Sequence, residues 1–103
     1  MNEKELIESI GARIFIIRGE KVMLDSHLAE LYGIETKVLN QSVKRNIERF
    51  PNDFLIIPNS NELEELRSQI VTAISINNWN YMRRTPPMLF TENGIAMLSS
   101  VLR

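Results

Sequence analysis

The chain contains no cysteine, a single histidine and no long apolar run, and each of these absences excludes a class of protein. Without cysteine, the 103 residues form neither a disulfide framework nor a thiolate metal site. One histidine cannot build a histidine-cluster metal centre. Apolar runs reach only four residues, as at 14–17 and 54–57, whereas a membrane-spanning helix needs about 20. Residues 1–9 also lack the basic start and apolar stretch of an export signal. We therefore expect a soluble cytoplasmic protein without metal or other cofactor and without a membrane segment.

Charge is nearly balanced over the whole chain but is unevenly placed along it. The net charge of −1 by itself argues against nucleic-acid binding. Residues 36–49, however, carry four basic side chains against one acidic side chain, and residues 83–103 carry three against one. The other two blocks, residues 1–35 and 50–82, each have a net charge of −3. A local basic block binds polyanions even in a neutral protein, although a charge run is more often a solvated helix face.

The pattern of apolar and turn residues predicts an α+β domain. It would have a small antiparallel hairpin or sheet, a helix-turn-helix-like pair and two further helices. β-rich runs at 13–18 and 21–24 flank Gly19, a spacing typical of a hairpin whose turn glycine has a positive φ. The run at 54–57 predicts another strand. We assign residues 1–10 to an N-terminal extension and residues 11–103 to the domain.

The first two helices are predicted from their caps and terminators. Asp25 is the expected N-cap of a helix over 26–32 that ends at Gly33. Thr36 is the expected N-cap of a second helix, which has to end before Pro51. The side chains expected to face the core are Leu28, Leu31 and Tyr32 on the first helix and Val38, Leu39, Val43, Ile47 and Phe50 on the second.

The remaining helices are predicted in the same way. A third helix begins between residues 59 and 61, with Asn61 and Glu64 placed for a capping box. Thr91 is the expected N-cap of a fourth helix, with Phe90 and Ile95 at the positions of a hydrophobic staple. Residues 71–87 are interpreted as a loop or loose hairpin.

The stretch from residue 28 to residue 46 carries the functional signal. Small Ala29 permits a close helix crossing, Gly33 permits a sharp turn and Ile34 fills the corner, a pattern typical of a helix-turn-helix. In that motif the outer face of the second helix enters the major groove of DNA. The residues expected on this face are Lys37, Asn40, Gln41, Lys44 and Arg45.

These residue types suit base edges. Asparagine and glutamine pair bidentately with adenine, and arginine or lysine pairs with guanine. Thr36 and Arg49 are placed for phosphate contacts, and Arg83 and Arg84 are expected as auxiliary phosphate contacts. Without further information the same pattern is equally typical of two packed helices.

The other polar residues do not indicate a metal-binding or catalytic site. His27 has no second ligand nearby in sequence and is interpreted as a histidine at the surface or next to the helix cap. The acids at 62, 64 and 65 fit favourable charges at a helix start better than a metal site. The sequence shows no nucleophile with a partnering base and no phosphate loop, so we do not expect an enzyme.

Several motifs in order resemble those of a known family. They are Val22-Met-Leu-Asp25, Leu28-Ala-Glu-Leu-Tyr-Gly33, Val43-Lys-Arg-Asn46, Arg49-Phe-Pro51, Asp53-Phe54, Leu66-Arg-Ser-Gln69 and the segment 90–100. Together they resemble the KilA-N-related phage DNA-binding domain, in its open-reading-frame-six N-terminal variety, from about residue 11 to the end. The segment 71–82 departs most from the family pattern.

The resemblance implies a regulatory protein of a phage or prophage, antirepressor-like, in which this domain precedes a C-terminal domain absent from this chain. It implies binding of double-stranded DNA in the bacterial cytoplasm, at the nucleoid, with the helix around Lys44 and Arg45 as the contact element. A homodimer or a second domain is expected for tight binding. The alternative is a protein–protein interaction module that captures a repressor or another phage or host factor, and RNA remains open as a third partner.

Overall fold

A computed structural model of the chain describes residues 14–73, of which 70–73 in backbone only, and residues 86–102. Within these ranges the strands are β1 (Phe15–Ile17), β2 (Glu20–Leu24), β3 (Leu55–Ile56) and β4 (Leu89–Thr91). The helices are α1 (Asp25–Tyr32), α2 (Thr36–Arg45), α3 (Ser60–Ala73) and α4 (Glu92–Val101), and a 3₁₀ turn (Ile47–Arg49) follows α2. The α+β class predicted from the sequence is confirmed. The proposed extension 1–10 lies outside the described residues.

The four strands form one antiparallel sheet in the order β1-β2-β4-β3. The predicted hairpin is confirmed, because β1 and β2 are joined by Arg18 and Gly19, whose φ angles are 57° and 74°. Two positive φ angles match the right-handed twist of the strands they connect. The central strand β4 was not predicted. Its residues are all buried, so the alternation that indicates a strand is missing.

Both faces of the sheet are covered by helices. On one face Phe15, Val22 and Leu89 pack with Leu66 of α3. The opposite face packs against the other three helices, through a second cluster that contains Met23, Leu28, Leu39, Phe90 and Leu98. Alternate residues of β2 and β4 enter the two clusters, as the period of a strand requires. The sheet is therefore the middle layer, and α2 belongs to the layer formed with α1 and α4.

Gln69 ties α3 to the edge of the sheet. Its side-chain oxygen accepts from the Ile16 backbone N–H at 2.7 Å, and its side-chain nitrogen donates to the Ile16 carbonyl at 2.8 Å. The amide thereby pairs with the edge strand β1 as a neighbouring backbone would, and exposed strand edges are protected in this manner against pairing with other chains.

Several helix ends differ from the predictions, among them those of α1 and α3. Helix α1 begins at Asp25 itself, whose carboxylate accepts from the Ser26 N–H at 2.7 Å, so Asp25 lies one residue inside the expected cap position. The capping box of α3 uses Asn59 and Glu62, each accepting the other's backbone N–H at 2.9 and 3.0 Å, and not Asn61 and Glu64.

Helix α3 also continues through residues 71–73, which were assigned to the loop, because these residues include neither a proline nor a glycine that would end it. The rest of that segment, 74–85, lies outside the described residues. The predicted Thr91 cap of α4 is confirmed, since its hydroxyl accepts from the Gly94 N–H at 3.3 Å.

The predicted buried face of α1 is correct only in its first half. Leu28 and Ala29 are buried, whereas Leu31 and Tyr32 are each 40% exposed. All three residues from Glu30 to the end of the helix are exposed, so the last turn of α1 lies beyond the layer that covers its beginning. His27 lies in the first turn of α1, next to the cap as one interpretation expected, but it is buried and not at the surface, and its ring lies 6.1 Å from that of Phe15.

An ion pair joins the hairpin turn to the start of α3 and predicts a pH dependence of stability. The Arg18 guanidinium donates to both Glu62 carboxylate oxygens, at 2.5 and 3.0 Å. This bond first, and the Asn59 N–H second, lowers the pKa of Glu62. A carboxyl whose pKa is lowered on folding stabilises the protein above its unfolded pKa, about 4.3, and that contribution disappears as the pH falls through the folded value.

We therefore expect Glu62→Gln to be less stable than the wild type at neutral pH, by a gap that narrows in acid. Urea unfolding of both proteins from pH 7 to pH 2 measures that gap. The matched control is Glu64→Gln, because Glu64 pairs with Arg67 at an exposed site and exposed pairs contribute little. A gap for Glu62→Gln that stays constant over this range contradicts the assignment.

Candidate nucleic-acid interface

The turn between α1 and α2 has its glycine in the conformation that the sequence predicts. Gly33 has φ 70° and ψ 32°, the left-handed conformation that ends helices. The Ile34 N–H donates to the Ala29 carbonyl at 3.0 Å, and the Gly33 N–H donates to the Glu30 carbonyl at 3.1 Å. Ile34 then packs against the core cluster shared by the two helices. The predicted turn at Gly33 and the predicted packing of Ile34 are confirmed, and Ala29 is buried in the same cluster.

Two fully buried side chains, Leu39 and Val43, mark the side of α2 that faces the core. Residues of an α-helix are spaced by about 100° around its axis, so Gln41 lies about 180° from the midpoint of these two. The outward side of α2 is therefore centred on Gln41. Side chains that are exposed on this side are Lys37, Val38, Gln41, Lys44 and Arg45.

Of the nine predicted contact residues, seven lie within the described ranges. Lys37, Gln41, Lys44, Arg45 and Arg49 are exposed. Thr36 and Asn40 are half-buried. Arg83 and Arg84 lie outside the described residues.

Asn40 was expected on the outward side of α2, but it does not lie there. Its side-chain nitrogen donates to a carboxylate oxygen of Asp25 at 3.2 Å, and its side-chain oxygen is buried. Asn40 lies only about 80° from the midpoint of Leu39 and Val43, at the border of the buried side. The sequence pattern assigned it outward because it is polar, whereas the fold provides a buried acceptor for it.

Thr36 is not the cap of α2. The helix begins at Thr36, the N-cap position is Glu35, and no side chain accepts a hydrogen bond there. Backbone N–H groups of Val38 and Leu39 donate instead to the Glu35 carbonyl, at 3.0 and 3.2 Å. This backbone closure shifts the start of the helix by one residue from the prediction.

Two apolar residues expected in the core face solvent. Val38 is 42% exposed and Ile47 is 50% exposed. Ile47 leaves the buried side because α2 ends at Arg45, where the Asn46 side chain donates to the Ser42 carbonyl at 2.8 Å. Val38 lies on the outward side of α2, at nearly the same angle around the helix axis as Arg45. Its angle relative to Leu39 and Val43 could have predicted this position.

The cations of this surface have few acidic neighbours. Lys37 approaches Glu35 at 3.5 Å, with both side chains more than two-thirds exposed. Lys44, Arg45 and Arg49 form no ion pair with any acid of the described ranges. Lys44 and Arg45 also lie in the last turn of α2, where positive charge is favourable to the helix dipole. Their charge is otherwise available to a polyanion.

No group of three or more His, Asp or Glu side chains within residues 14–69 and 86–102 is arranged to hold a metal ion. In the same part of the chain, every helix is too short or too polar to cross a membrane.

Comparison with known families agrees with the motifs found in the sequence. Residues 12–101 match the ORF6N domain, which is nearly the whole chain. Neither the curated proteins nor the solved structures gave a match. The resemblance to the open-reading-frame-six variety is thereby confirmed, and the chain belongs to the ORF6N domain family.

Proposed function

We propose that the chain is a double-stranded DNA-binding module that reads the major groove with α2. The observation that carries the proposal is the exposed side of α2, which presents one amide, three cations and Val38 while the opposite side is buried in the core. Family membership suggests a phage-type regulatory module. The geometry of the turn supports the helix-turn-helix mode of docking, in which the second helix enters the groove.

Each exposed side chain has a chemical role in this proposal. Gln41, at the centre of the surface, suits bidentate pairing with adenine, and Arg45 suits guanine. Val38 suits an apolar contact with a thymine methyl group. Lys37, Lys44 and Arg49 are assigned to phosphates, which position the helix without reading sequence. Arg83 and Arg84 remain proposed auxiliary phosphate contacts.

We place this module in a KilA-N-related, antirepressor-like regulatory protein acting at the bacterial nucleoid. The three phosphate contacts of Lys37, Lys44 and Arg49, with the two auxiliary ones, give weak and salt-sensitive binding. Tight binding of an operator therefore requires a second copy of the chain or a further domain, because paired half-sites multiply the contacts.

Fluorescence anisotropy with labelled duplex DNA tests the proposal. We expect binding at 50 mM salt that weakens steeply as salt is raised, because each neutralised phosphate releases about 0.9 counterion. Duplex DNA should compete better than a matched RNA duplex, whose narrow major groove excludes a helix. Absence of binding at low salt, or stronger competition by RNA, contradicts the proposal.

The second candidate function is capture of a repressor or another phage or host protein. Leu31 and Tyr32 at the end of α1 and Val38 at the start of α2 favour it, because each is about 40% exposed and large apolar side chains are enriched in protein interfaces. A pull-down with and without nuclease distinguishes the two functions. A partner retained after nuclease treatment, and lost on Tyr32→Ser, supports protein capture.

A further inference from the structure

A buried carboxylate lies at the junction of α1, α2 and β4. Asp25 is fully buried, with 0% exposure. One carboxylate oxygen accepts from the Ser26 N–H at 2.7 Å, and the other accepts from the Met88 N–H and the Asn40 side chain, each at 3.2 Å. The Asp25 N–H donates in turn to the Met88 carbonyl at 3.0 Å. A buried charge is tolerated only when its acceptor sites are satisfied in this way.

Asn40 is the part of α2 that reaches this junction. Its amide nitrogen supplies one of the donors to Asp25, and its amide oxygen is buried without a hydrogen-bond partner within the described ranges. Bidentate pairing with adenine uses both ends of an amide side chain. For Asn40 such pairing requires loss of the Asp25 bond and exposure of the buried oxygen, whereas Gln41 beside it is exposed.

The bond also has a mechanical consequence for α2. Leu39 and Val43 hold one side of the helix on the core, but apolar contacts have little directionality. A hydrogen bond to a charged acceptor has a defined distance and angle and is about twice as strong as a neutral bond. The bond between Asn40 and Asp25 therefore fixes the rotation of α2 about its own axis, and with it the direction of the exposed side chains.

We infer that Asn40 is a positioning residue of the DNA-reading helix, which acts through Asp25, and that base reading falls to the neighbouring exposed side chains. The inference rests on the proposed function and deepens it. Asn40 thereby links the orientation of α2 to the sheet through Met88, at the entry to β4.

The test compares Asn40→Ala with Gln41→Ala, its exposed neighbour on the same helix. Each purified chain, its folding verified by circular dichroism, is incubated with a pool of random duplexes, and the bound sequences and affinities are measured. We expect Asn40→Ala to weaken binding to all duplexes by a similar factor, roughly tenfold, with the ranking of sequences unchanged. Gln41→Ala should change the preferred base at one position of the bound sequences.

A second measurement examines the coupling to Asp25. In an Asp25→Asn background, where the charged acceptor is gone, the additional effect of Asn40→Ala on affinity should fall below about twofold. A full effect in that background overturns the inference. If Asp25→Asn does not fold, the inference is tested by whether Asn40→Ala keeps the ranking of bound sequences.

Three other outcomes would each overturn the inference. A changed base preference for Asn40→Ala identifies a base-reading residue and overturns the inference while leaving the proposed function intact. An affinity equal to that of the wild type shows a role in stability only, and overturns it as well. No binding by the wild type overturns the proposed function, and the inference with it.

Discussion

Lys44→Ala combined with Arg45→Ala is expected to weaken binding to duplex DNA by about thirtyfold at low salt. A good base contact or desolvated charge contact contributes about 1–3 kcal/mol, so two losses reach at least about 2 kcal/mol. The dependence of log affinity on log salt should become shallower by about one for each phosphate contact removed. Both residues are exposed and alanine is a strong helix former, so the fold should be retained. Anisotropy across a salt series measures both quantities.

The matched control removes the same charge from other surfaces. Lys21→Ala combined with Arg67→Ala takes one cation from β2 and one from α3, and neither residue lies on α2. We expect this variant to bind within about threefold of the wild type, because screening limits the reach of charges to about 10 Å at 0.1 M salt. Equal losses in the two double variants indicate a general charge effect and contradict a specific role for α2.

Gly94→Ala is expected to destabilise the fold strongly. A Cβ atom at residue 94 would overlap the carbonyl oxygen of Phe54 and would lie 2.9 Å from its carbonyl carbon. That carbonyl cannot move away freely, because it accepts from the Thr91 N–H at 3.1 Å. Relief of the overlap requires displacement of α4 or of the β3 segment, and we expect a loss of about 3 kcal/mol or more in the free energy of unfolding.

Helix propensity and steric overlap predict changes of opposite sign in the stability of Gly94→Ala. Within a helix, alanine is favoured over glycine by about 1 kcal/mol, so helix propensity alone predicts stabilisation. Chemical denaturation of Gly94→Ala therefore separates the two expectations. Asn93→Ala is the control, since residue 93 is exposed in the same turn and should change stability by less than about 0.5 kcal/mol. A Gly94→Ala variant as stable as the wild type contradicts the close packing of α4 on the β3 segment.

Three features that depend on short stretches of chain could be predicted from the sequence, although the caps expected at Asp25, Thr36 and Asn61 lie one or two residues from their observed positions. The hairpin turn at Gly19, the corner at Gly33 and the cap at Thr91 each involve backbone groups within five residues of one another. The chemistry of a turn or cap residue determines such local geometry directly. For the same reason, the side of α2 that faces the core could be predicted correctly from Leu39 and Val43.

Features that depend on distant residues could not be predicted in this way. Strand β4 pairs Thr91 with Val22, and its three buried residues carry no alternation that distinguishes a strand from part of a helix. Within the site, the position of Asn40 also depends on a distant residue. A polar residue on a helix is expected at the surface, and only the fold brings the Asp25 carboxylate to it.

In the proposed function, the exposed side of α2 contacts DNA. The most direct test is a titration of the ¹⁵N-labelled chain with a short DNA duplex, followed through its backbone and side-chain amide signals. We expect the largest chemical-shift changes between residues 37 and 45, including the Gln41 side-chain amide, and small changes in α3. Changes concentrated in α3 or in the β1–β2 hairpin, with the signals of α2 unmoved, would contradict the claim.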